Sequence, residues 1–225
     1  MVNMKGRFCI KLAVVLIFFG GSIYAADINM ANILKAPLTD VTEKRFDEIC
    51  ALLSVNSVVK GNFNETKTLL HRDKIESSGK FTISVQDGMI WQTITPRPSI
   101  IAVGKEYIVR TTSHRKIRVT GNEAAMFLRI SEMLKAVFSG DSAYIKKTFD
   151  IYFAETDENW IIALTPKSST FKKLINKIAI QGKTTINKVL IEETTNDTDN
   201  YDLSNYSYAK ELTAQEKNYF ITDKE

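Results

Sequence analysis

The alternation of apolar and polar residues is clearest between residues 76 and 101, where it predicts two neighbouring antiparallel strands. Asp87-Gly88 predicts the turn between them, the second strand carries Trp91, and Pro96 predicts its end. The apolar face of the first strand has a period of two and consists of Phe81, Ile83 and Val85. We therefore expect this hairpin to cover an apolar interior with one face.

The same alternation predicts a sheet of about eleven strands over the rest of the chain. We expect these strands at residues 57–70, 78–85, 89–94, 99–103, 106–111, 116–119, 146–153, 159–164, 174–181, 186–193 and 201–208. The connections between most of them are short, and a parallel crossover needs about a dozen residues or more. The sheet should therefore be antiparallel.

Two segments have helical instead of strand periodicity. The first, residues 40–53, has apolar positions at Val41, Phe46, Ile49, Leu52 and Leu53. The second, residues 123–139, has a broad apolar face formed by Met126, Ile130, Met133, Leu134, Val137 and Phe138. The central helix is preceded and followed by runs of strands, and this order predicts an α+β fold. We expect a strongly curved antiparallel sheet that forms an incomplete barrel, with helices that plug its concave side.

The first 25 residues have the pattern of a signal peptide. Basic residues precede an apolar run at 12–19, and small residues near Ala25 offer a cleavage point. We expect export to the periplasm and one domain over residues 26–225. Without the signal peptide the net charge falls from +4 to 27 − 26 = +1, so the basic composition gives no argument for nucleic-acid binding. Cys50 is then the single cysteine, and no internal disulfide can form.

Catalytic chemistry has little support in the residue inventory. His71 and His114 lie among basic residues at expected strand ends, where solvated turn residues are usual. We find no phosphate-binding glycine loop, metal-ligand pair or nucleophile elbow in the sequence. We expect a protein that is not an enzyme and that needs no cofactor or metal.

The order of motifs around the hairpin resembles a known family. Val59, Gly61 and Phe63 form a Val-x-Gly-x-Phe strand, followed by a Ser-Gly pair, a strand, a turn, Trp91 and a proline. This order is similar to that of LolA, the periplasmic carrier family for outer-membrane lipoproteins, and to its LolA-like relatives. The resemblance implies an incomplete barrel with an apolar cavity under a helical lid. It implies a monomeric carrier of lipid or lipoprotein acyl chains, loaded by an inner-membrane exporter and unloaded at an outer-membrane acceptor.

With this resemblance, the apolar residues named above become candidate lipid-binding residues. The candidate cavity set is Phe63, Phe81, Ile83, Val85, Trp91, Met126, Ile130, Met133, Leu134, Val137 and Phe138. Each has two interpretations: wall of a lipid pocket, in which soft methionine side chains repack around acyl chains, or ordinary core.

One position departs from the family pattern. LolA proteins commonly carry an Arg-Pro pair six residues before the tryptophan, and that arginine holds the lid by hydrogen bonds. The matching residues here are Val85 and Gln86. The departure favours the LolA-like relatives, whose cargo includes other lipids, over lipoprotein transfer in the usual manner. The alternative functions are a lipid- or lipoprotein-sensing regulatory module on the same fold and, less favoured by the residue inventory, a hydrolase.

Overall fold

The structure, a computed structural model, describes residues 29–30, 32–54, 56–70, 73–113, 115–119 and 121–221, with the backbone alone at 121–123, 126 and 127. Its helices are α1 Asp40–Leu53, α2 Gly121–Phe138, α3 Ser142–Thr148, α4 Ser169–Lys172 and α5 Ala214–Asn218, with a 3-10 turn at Ile33–Lys35. Its strands are β1 Val58–Thr68, β2 Lys74–Ser84, β3 Gly88–Thr95, β4 Ser99–Val103, β5 Ile108–Thr111, β6 Lys116–Val119, β7 Phe149–Glu155, β8 Trp160–Pro166, β9 Ile175–Gly182, β10 Ile186–Glu193 and β11 Thr198–Ala209.

All eleven strands belong to one antiparallel sheet with the order β6-β5-β4-β3-β2-β1-β11-β10-β9-β8-β7. The edge strands β6 and β7 do not pair with each other, so the sheet is open. Flat, it would be about 48 Å wide at ~4.8 Å per strand spacing. Val119 of β6 and Phe153 of β7 nevertheless share one apolar core, so the sheet curves around that core. The predicted fold class, an incomplete antiparallel barrel with helices on its concave side, is confirmed.

Helices α1 and α2 fill the concave side. Thr39 caps α1, since its hydroxyl accepts a hydrogen bond from the amide of Thr42. The buried face of α1 consists of Phe46, Ile49 and Cys50. The stripe predicted for this helix was wrong at two positions: Val41 is 88% and Leu52 61% exposed. Both lie on the side of the helix away from Phe46, because successive residues are rotated by about 100°.

The convex face of the sheet is covered by the two terminal segments. Ile33, in the 3-10 turn, packs on Ile161, Ala163 and Ala179 of β8 and β9. At the other end, Leu212 packs on the outer side of β1, β3, β4 and β5. Apolar groups on both faces of the sheet are thus removed from water.

The strand predicted at residues 146–153 is wrong in its first half. Residues 142–148 form the short helix α3, and the strand starts at Phe149. The side chain of Asp141 accepts a hydrogen bond from the amide of Tyr144 at 2.9 Å and so caps this helix. An aspartate followed by one helical turn gives almost no periodic signal, which explains the error.

Candidate functional site: an apolar cavity under α2

A cavity of about 320 Å³ lies between the concave face of the sheet and α2. The sheet contributes side chains from β1 to β4 and from β9 to β11, and the helix closes the opposite side. The apolar lining residues are Phe81, Ile83, Met89, Trp91, Ile101, Ile130, Leu134, Phe138, Leu174, Ile175, Val189, Ile191 and Leu203. The polar lining residues are Glu65, Lys67, Thr93, Glu193, Asp199 and Tyr201.

Stacked aromatic rings form one wall of the cavity. The ring centroids of Phe63 and Trp91 lie 4.1 Å apart with an interplanar angle of 24°, and those of Phe81 and Trp91 lie 6.1 Å apart. Phe81 in turn contacts Phe138 of α2, with centroids 6.1 Å apart. Gly61 makes room for this arrangement, because a Cβ atom there would lie 2.6 Å from the ring of Phe81. Phe81 and Trp91 thus form this part of the cavity wall, and Phe63 of the Val-x-Gly-x-Phe strand packs against it from the core.

The helix presents Ile130, Leu134 and Phe138 to the cavity, which are spaced four residues apart. This spacing places them along one side of α2. Met133, fully buried, and Val137, 4% exposed, belong to the apolar core and are not among the lining residues. The predicted apolar face of the helix is therefore divided between a cavity wall and ordinary packing.

The eleven predicted site residues fall into four groups. Six line the cavity, namely Phe81, Ile83, Trp91, Ile130, Leu134 and Phe138. Three lie in the core beside it, namely Phe63, Met133 and Val137. Val85 is outside, and the side chain of Met126 lies outside the described residues.

The prediction that Val85 faces the concave side is wrong. Strand β2 ends at Ser84, and Val85 is 42% exposed in the turn that follows. The turn is closed by polar groups, since the hydroxyl of Ser84 donates to the carboxylate of Asp87 at 2.7 Å. Val85 is therefore not part of the cavity wall.

The charged end of the cavity was not among the site residues predicted from the sequence. Glu65 and Lys67 follow Phe63 at alternate positions of β1 and so face the same side. On the neighbouring strand β11 they pair with Tyr201 and Asp199. The same period of two that identified Phe63 could have placed these charges inside, but strand ends are usually solvated and gave no reason to do so.

Lys67 is the centre of this charged end. Its ammonium nitrogen lies 2.6 Å from Oε1 of Glu193 and 3.3 Å from Oδ2 of Asp199. Burial disfavours the charged ammonium, but hydrogen bonds and charges of the two carboxylates outweigh it and raise the pKa of Lys67. Burial raises the pKa of Asp199 to about 6, although Lys67 acts in the opposite direction.

Glu65 is held by hydroxyl groups instead of a cation. The hydroxyl of Tyr201 donates to its Oε1 at 2.8 Å, and the hydroxyl of Ser77 donates to its Oε2. Burial, together with the charge of Glu65, raises the pKa of Tyr201, so this phenol stays protonated. Neither of these two contacts brings a positive charge to the carboxylate of Glu65.

Other candidate chemistry gives no second site. Within the described ranges, no group of three or more His, Cys, Asp or Glu residues is arranged to hold a metal ion. Cys50 is buried, and burial raises the pKa of its thiol to about 12. His71 and His114 lie outside the described residues. None of the described helices is both long and apolar enough to cross a membrane.

No protein-family model and no protein of curated function matches the chain in sequence. Similar solved structures include a LolA superfamily protein from Nitrosomonas europaea, at 10% identity and a TM-score of 0.44, over 76% of this chain and 95% of that one. LprF from Mycobacterium bovis is similar at 8% identity and a TM-score of 0.38, over 79% of this chain and 98% of that one. The MucA/MucB complex of Pseudomonas aeruginosa is similar at 9% identity and a TM-score of 0.42, over 80% of this chain and 60% of that one. LolA-like proteins are thus among the structures that this chain resembles, at low identity.

Proposed function

We propose that the protein is a non-enzymatic carrier that shelters the acyl chains of a lipid or lipoprotein in the cavity under α2. The observation that carries this proposal is the cavity itself: about 320 Å³ between an apolar concave sheet and an apolar helix face. Well-packed interiors contain few voids larger than a water molecule. A space of this size with apolar walls is therefore suited to an apolar guest.

The energetics favour such a role. An acyl chain exposed to water costs about 0.8 kcal/mol per CH₂ group, so a lipid that leaves a membrane needs a shelter. The wall residues Ile83, Met89 and Trp91 on the sheet and Leu134 on the helix can replace lipid contacts for the chain. A membrane or a receptor that buries the chain more completely then becomes the acceptor.

The volume limits what enters without movement. A cavity of about 320 Å³ is at the lower end of the range for ligand pockets. It accommodates part of one chain as it stands. We propose that larger cargo enters when the half-buried N-terminal part of α2, around Leu128 and Ile130, moves outward.

The cellular setting follows from the N-terminal pattern. We propose export by the signal peptide at residues 1–25, whose structure lies outside the described residues, and action in the periplasm. A carrier there would collect its cargo from an inner-membrane exporter and deliver it to an outer-membrane acceptor. It would act as a monomer, since each chain has its own cavity.

Two measurements test the proposal. The protein is isolated from its own periplasm and measured by native mass spectrometry, where we expect a bound lipid or lipopeptide. In a second assay, a fluorescent phospholipid is followed from donor to acceptor vesicles, and the rate should rise in proportion to protein concentration. A protein that is empty in the first assay and inactive in the second is not a carrier.

Leu134→Trp is a variant designed to block the cavity. The larger side chain occupies the cavity from the helix side and should abolish transfer while the fold is retained, as checked by circular dichroism. A stoichiometric protein partner found in place of lipid would instead support the lipid-sensing regulatory module.

A further inference from the structure

Along the paired strands β1 and β11, the cavity changes from apolar to charged over three successive inward-facing residue pairs. Phe63 pairs with Leu203, then Glu65 with Tyr201, and then Lys67 with Asp199. All except Phe63 line the cavity. A guest that fills this space therefore has its chain beside apolar walls and one end beside charged groups.

The charged end of the cavity is more exposed to solvent than the end formed by Phe81 and Ile83. The side chains of Lys67 and Glu193 are 29% and 27% exposed, whereas that of Asp199 is 9% exposed. At the opposite end, Phe81 and Ile83 are at most 2% exposed. An amphiphile would enter with its chain towards Ile83 and its head group beside Glu65 and Lys67.

Among the described residues, the charges at this end do not balance. The described lining residues include three carboxylates, at Glu65, Glu193 and Asp199, and one ammonium, at Lys67. Lys67 is already in contact with two of the three carboxylates. When all four groups are ionised the net charge is −2, and it is −1 when Asp199 is protonated.

Hydrogen-bond capacity shows the same imbalance. A carboxylate offers about four acceptor sites, so the three carboxylates offer about twelve. The ammonium has about three donors and each hydroxyl one. Among the described residues, side-chain hydrogen bonds to the three carboxylates come from Lys67, Ser77, Tyr201 and, at 3.5 Å, Thr195. Acceptors are thus in excess, and a head group that donates finds partners.

We propose that the charged end of the cavity binds the head group of the guest and selects a primary ammonium over a carboxylate or phosphate. This inference rests on the proposed function, because the head group reaches Glu65 only when a chain occupies the cavity. An anionic head would lie beside Glu65, Glu193 and Asp199 and find one ammonium that is already shared. A cationic head would lie beside the carboxylate of Glu65, which within the described part of the chain is hydrogen-bonded by the hydroxyl groups of Ser77 and Tyr201.

The test uses three probes of one chain length: a long-chain primary alkylamine, the alcohol and the fatty acid. Their affinities for the protein are measured by isothermal titration calorimetry at pH 7, below the concentrations at which the probes aggregate. We expect the order amine, alcohol, acid, with the amine about tenfold tighter than the acid, as one extra charge-assisted hydrogen bond implies. The preference should weaken with added salt.

Glu65→Gln removes one negative charge and keeps the shape of the side chain. It should reduce the preference for amine over acid several-fold and leave the affinity for the alcohol nearly unchanged. Glu76→Gln is the matched control, since Glu76 is exposed and is the neighbour of Ser77 on the other face of β2. It should leave the preference as in the wild type.

The outcomes separate the two proposals. Equal affinity for all three probes, or tighter binding of the acid, would overturn the head-group inference and leave the carrier intact. Failure of every probe to bind would overturn the carrier proposal and the inference together. Because the order of probes is measured on the wild type, the test stands even if Glu65→Gln does not fold.

Discussion

The two ends of α2 differ in how they meet the rest of the protein. Towards its C-terminus, Met133, Val137 and Phe138 are at most 5% exposed and belong to the main core. Towards its N-terminus, Leu128 and Ile130 are half-buried and pack against the edge of that core. One helix is therefore buried at one end and half-buried at the other, while its cavity-lining residues Ile130, Leu134 and Phe138 lie in both parts.

The C-terminal end of α2 is also held by backbone geometry and by charges. Gly140, which ends the helix with φ +62°, lies so close to α1 that an added Cβ would be 1.9 Å from the carbonyl oxygen of Cys50. In α3, the ammonium of Lys146 lies 2.6 Å from Glu43 and 2.8 Å from Asp47, both in α1. We infer that any opening of the cavity is a movement of the N-terminal end of α2 about a fixed C-terminal end.

Two variants at adjacent residues, Met133→Ala and Leu134→Ala, test the difference between a core residue and a cavity-wall residue of α2. Met133 is fully buried and does not line the cavity, so its truncation should cost about 2 to 5 kcal/mol of unfolding free energy. The folded fraction should still bind a fluorescent fatty acid with wild-type affinity. Leu134 is half-buried in the cavity wall, so Leu134→Ala should cost about 1 kcal/mol and weaken binding.

Urea unfolding and probe titration of both variants give the four numbers required. If both truncations reduce stability equally and neither affects binding, the two residues have the same role and the helix is ordinary core throughout.

Gly140→Ala tests the fixed end of the helix. A side chain at positive φ is strained, and its Cβ would collide with the backbone of α1, so we expect a loss of about 2 kcal/mol or more in urea unfolding. Amide hydrogen exchange in the last turn of α2 should accelerate. Ser139→Ala, one residue earlier, removes only a 3.3 Å hydrogen bond to Ala136 and should have little effect. Similar losses in the two variants would argue against a special contact at Gly140.

The pKa of Asp199 predicts a pH dependence of stability. It is raised from 3.8 to about 6 in the folded protein, so between these values the folded state holds a proton that the unfolded state has lost. The contribution of this group to stability therefore falls as pH rises from about 4 to 6. Relative to Asp199→Asn, the wild type should lose about 1 to 2 kcal/mol across that window.

Urea unfolding at a series of pH values measures this difference. Asp202→Asn, whose side chain is 68% exposed on the same strand, controls for the loss of any one carboxylate. A wild-type stability that rises relative to Asp199→Asn over this range would mean that Asp199 is stabilised as the anion.

Val85→Arg should have the smallest effect. Position 85 is exposed in the turn after β2, so an arginine there should change stability by less than about 0.5 kcal/mol and leave probe binding unchanged. A marked loss of binding would mean that the residue at this position reaches the helix, as in the family pattern.

The fold followed from local periodicity because strands of this sheet pair with their neighbours along the chain. The hairpin of β2 and β3 shows this: the two strands predicted on either side of Asp87-Gly88 pair with each other, and Phe81 lies opposite Trp91. Pairing of β1 with β11 joins distant parts of the chain and leaves no local signal. For this reason the charged end of the cavity, which depends on that pairing, escaped prediction.

Helical periodicity identified the apolar face of α2 but could not divide it. Met133 and Leu134 are both apolar and adjacent, and their different roles depend on which strands face them. The prediction for Val85 was wrong for a different reason. The alternation of apolar and polar residues continues to Val85, but the turn closed by the contact between Ser84 and Asp87 ends the strand at Ser84. The type of side chain therefore predicted whether a residue is buried better than it predicted which part of the protein the residue contacts.

The two tryptophans of the chain allow the most direct test of the cavity. Trp91 lines the cavity, whereas Trp160 is 3% exposed in the core and its indole nitrogen donates to the carbonyl of Lys183 at 2.8 Å. A long alkyl chain that carries bromine quenches indole fluorescence on contact. In Trp160→Phe, such a chain should quench the remaining Trp91 emission to saturation at one ligand per protein. In Trp91→Phe, it should leave the Trp160 emission unchanged. No saturable quenching of Trp91, or equal quenching of both tryptophans, would contradict the claim that the cavity under α2 binds an apolar chain.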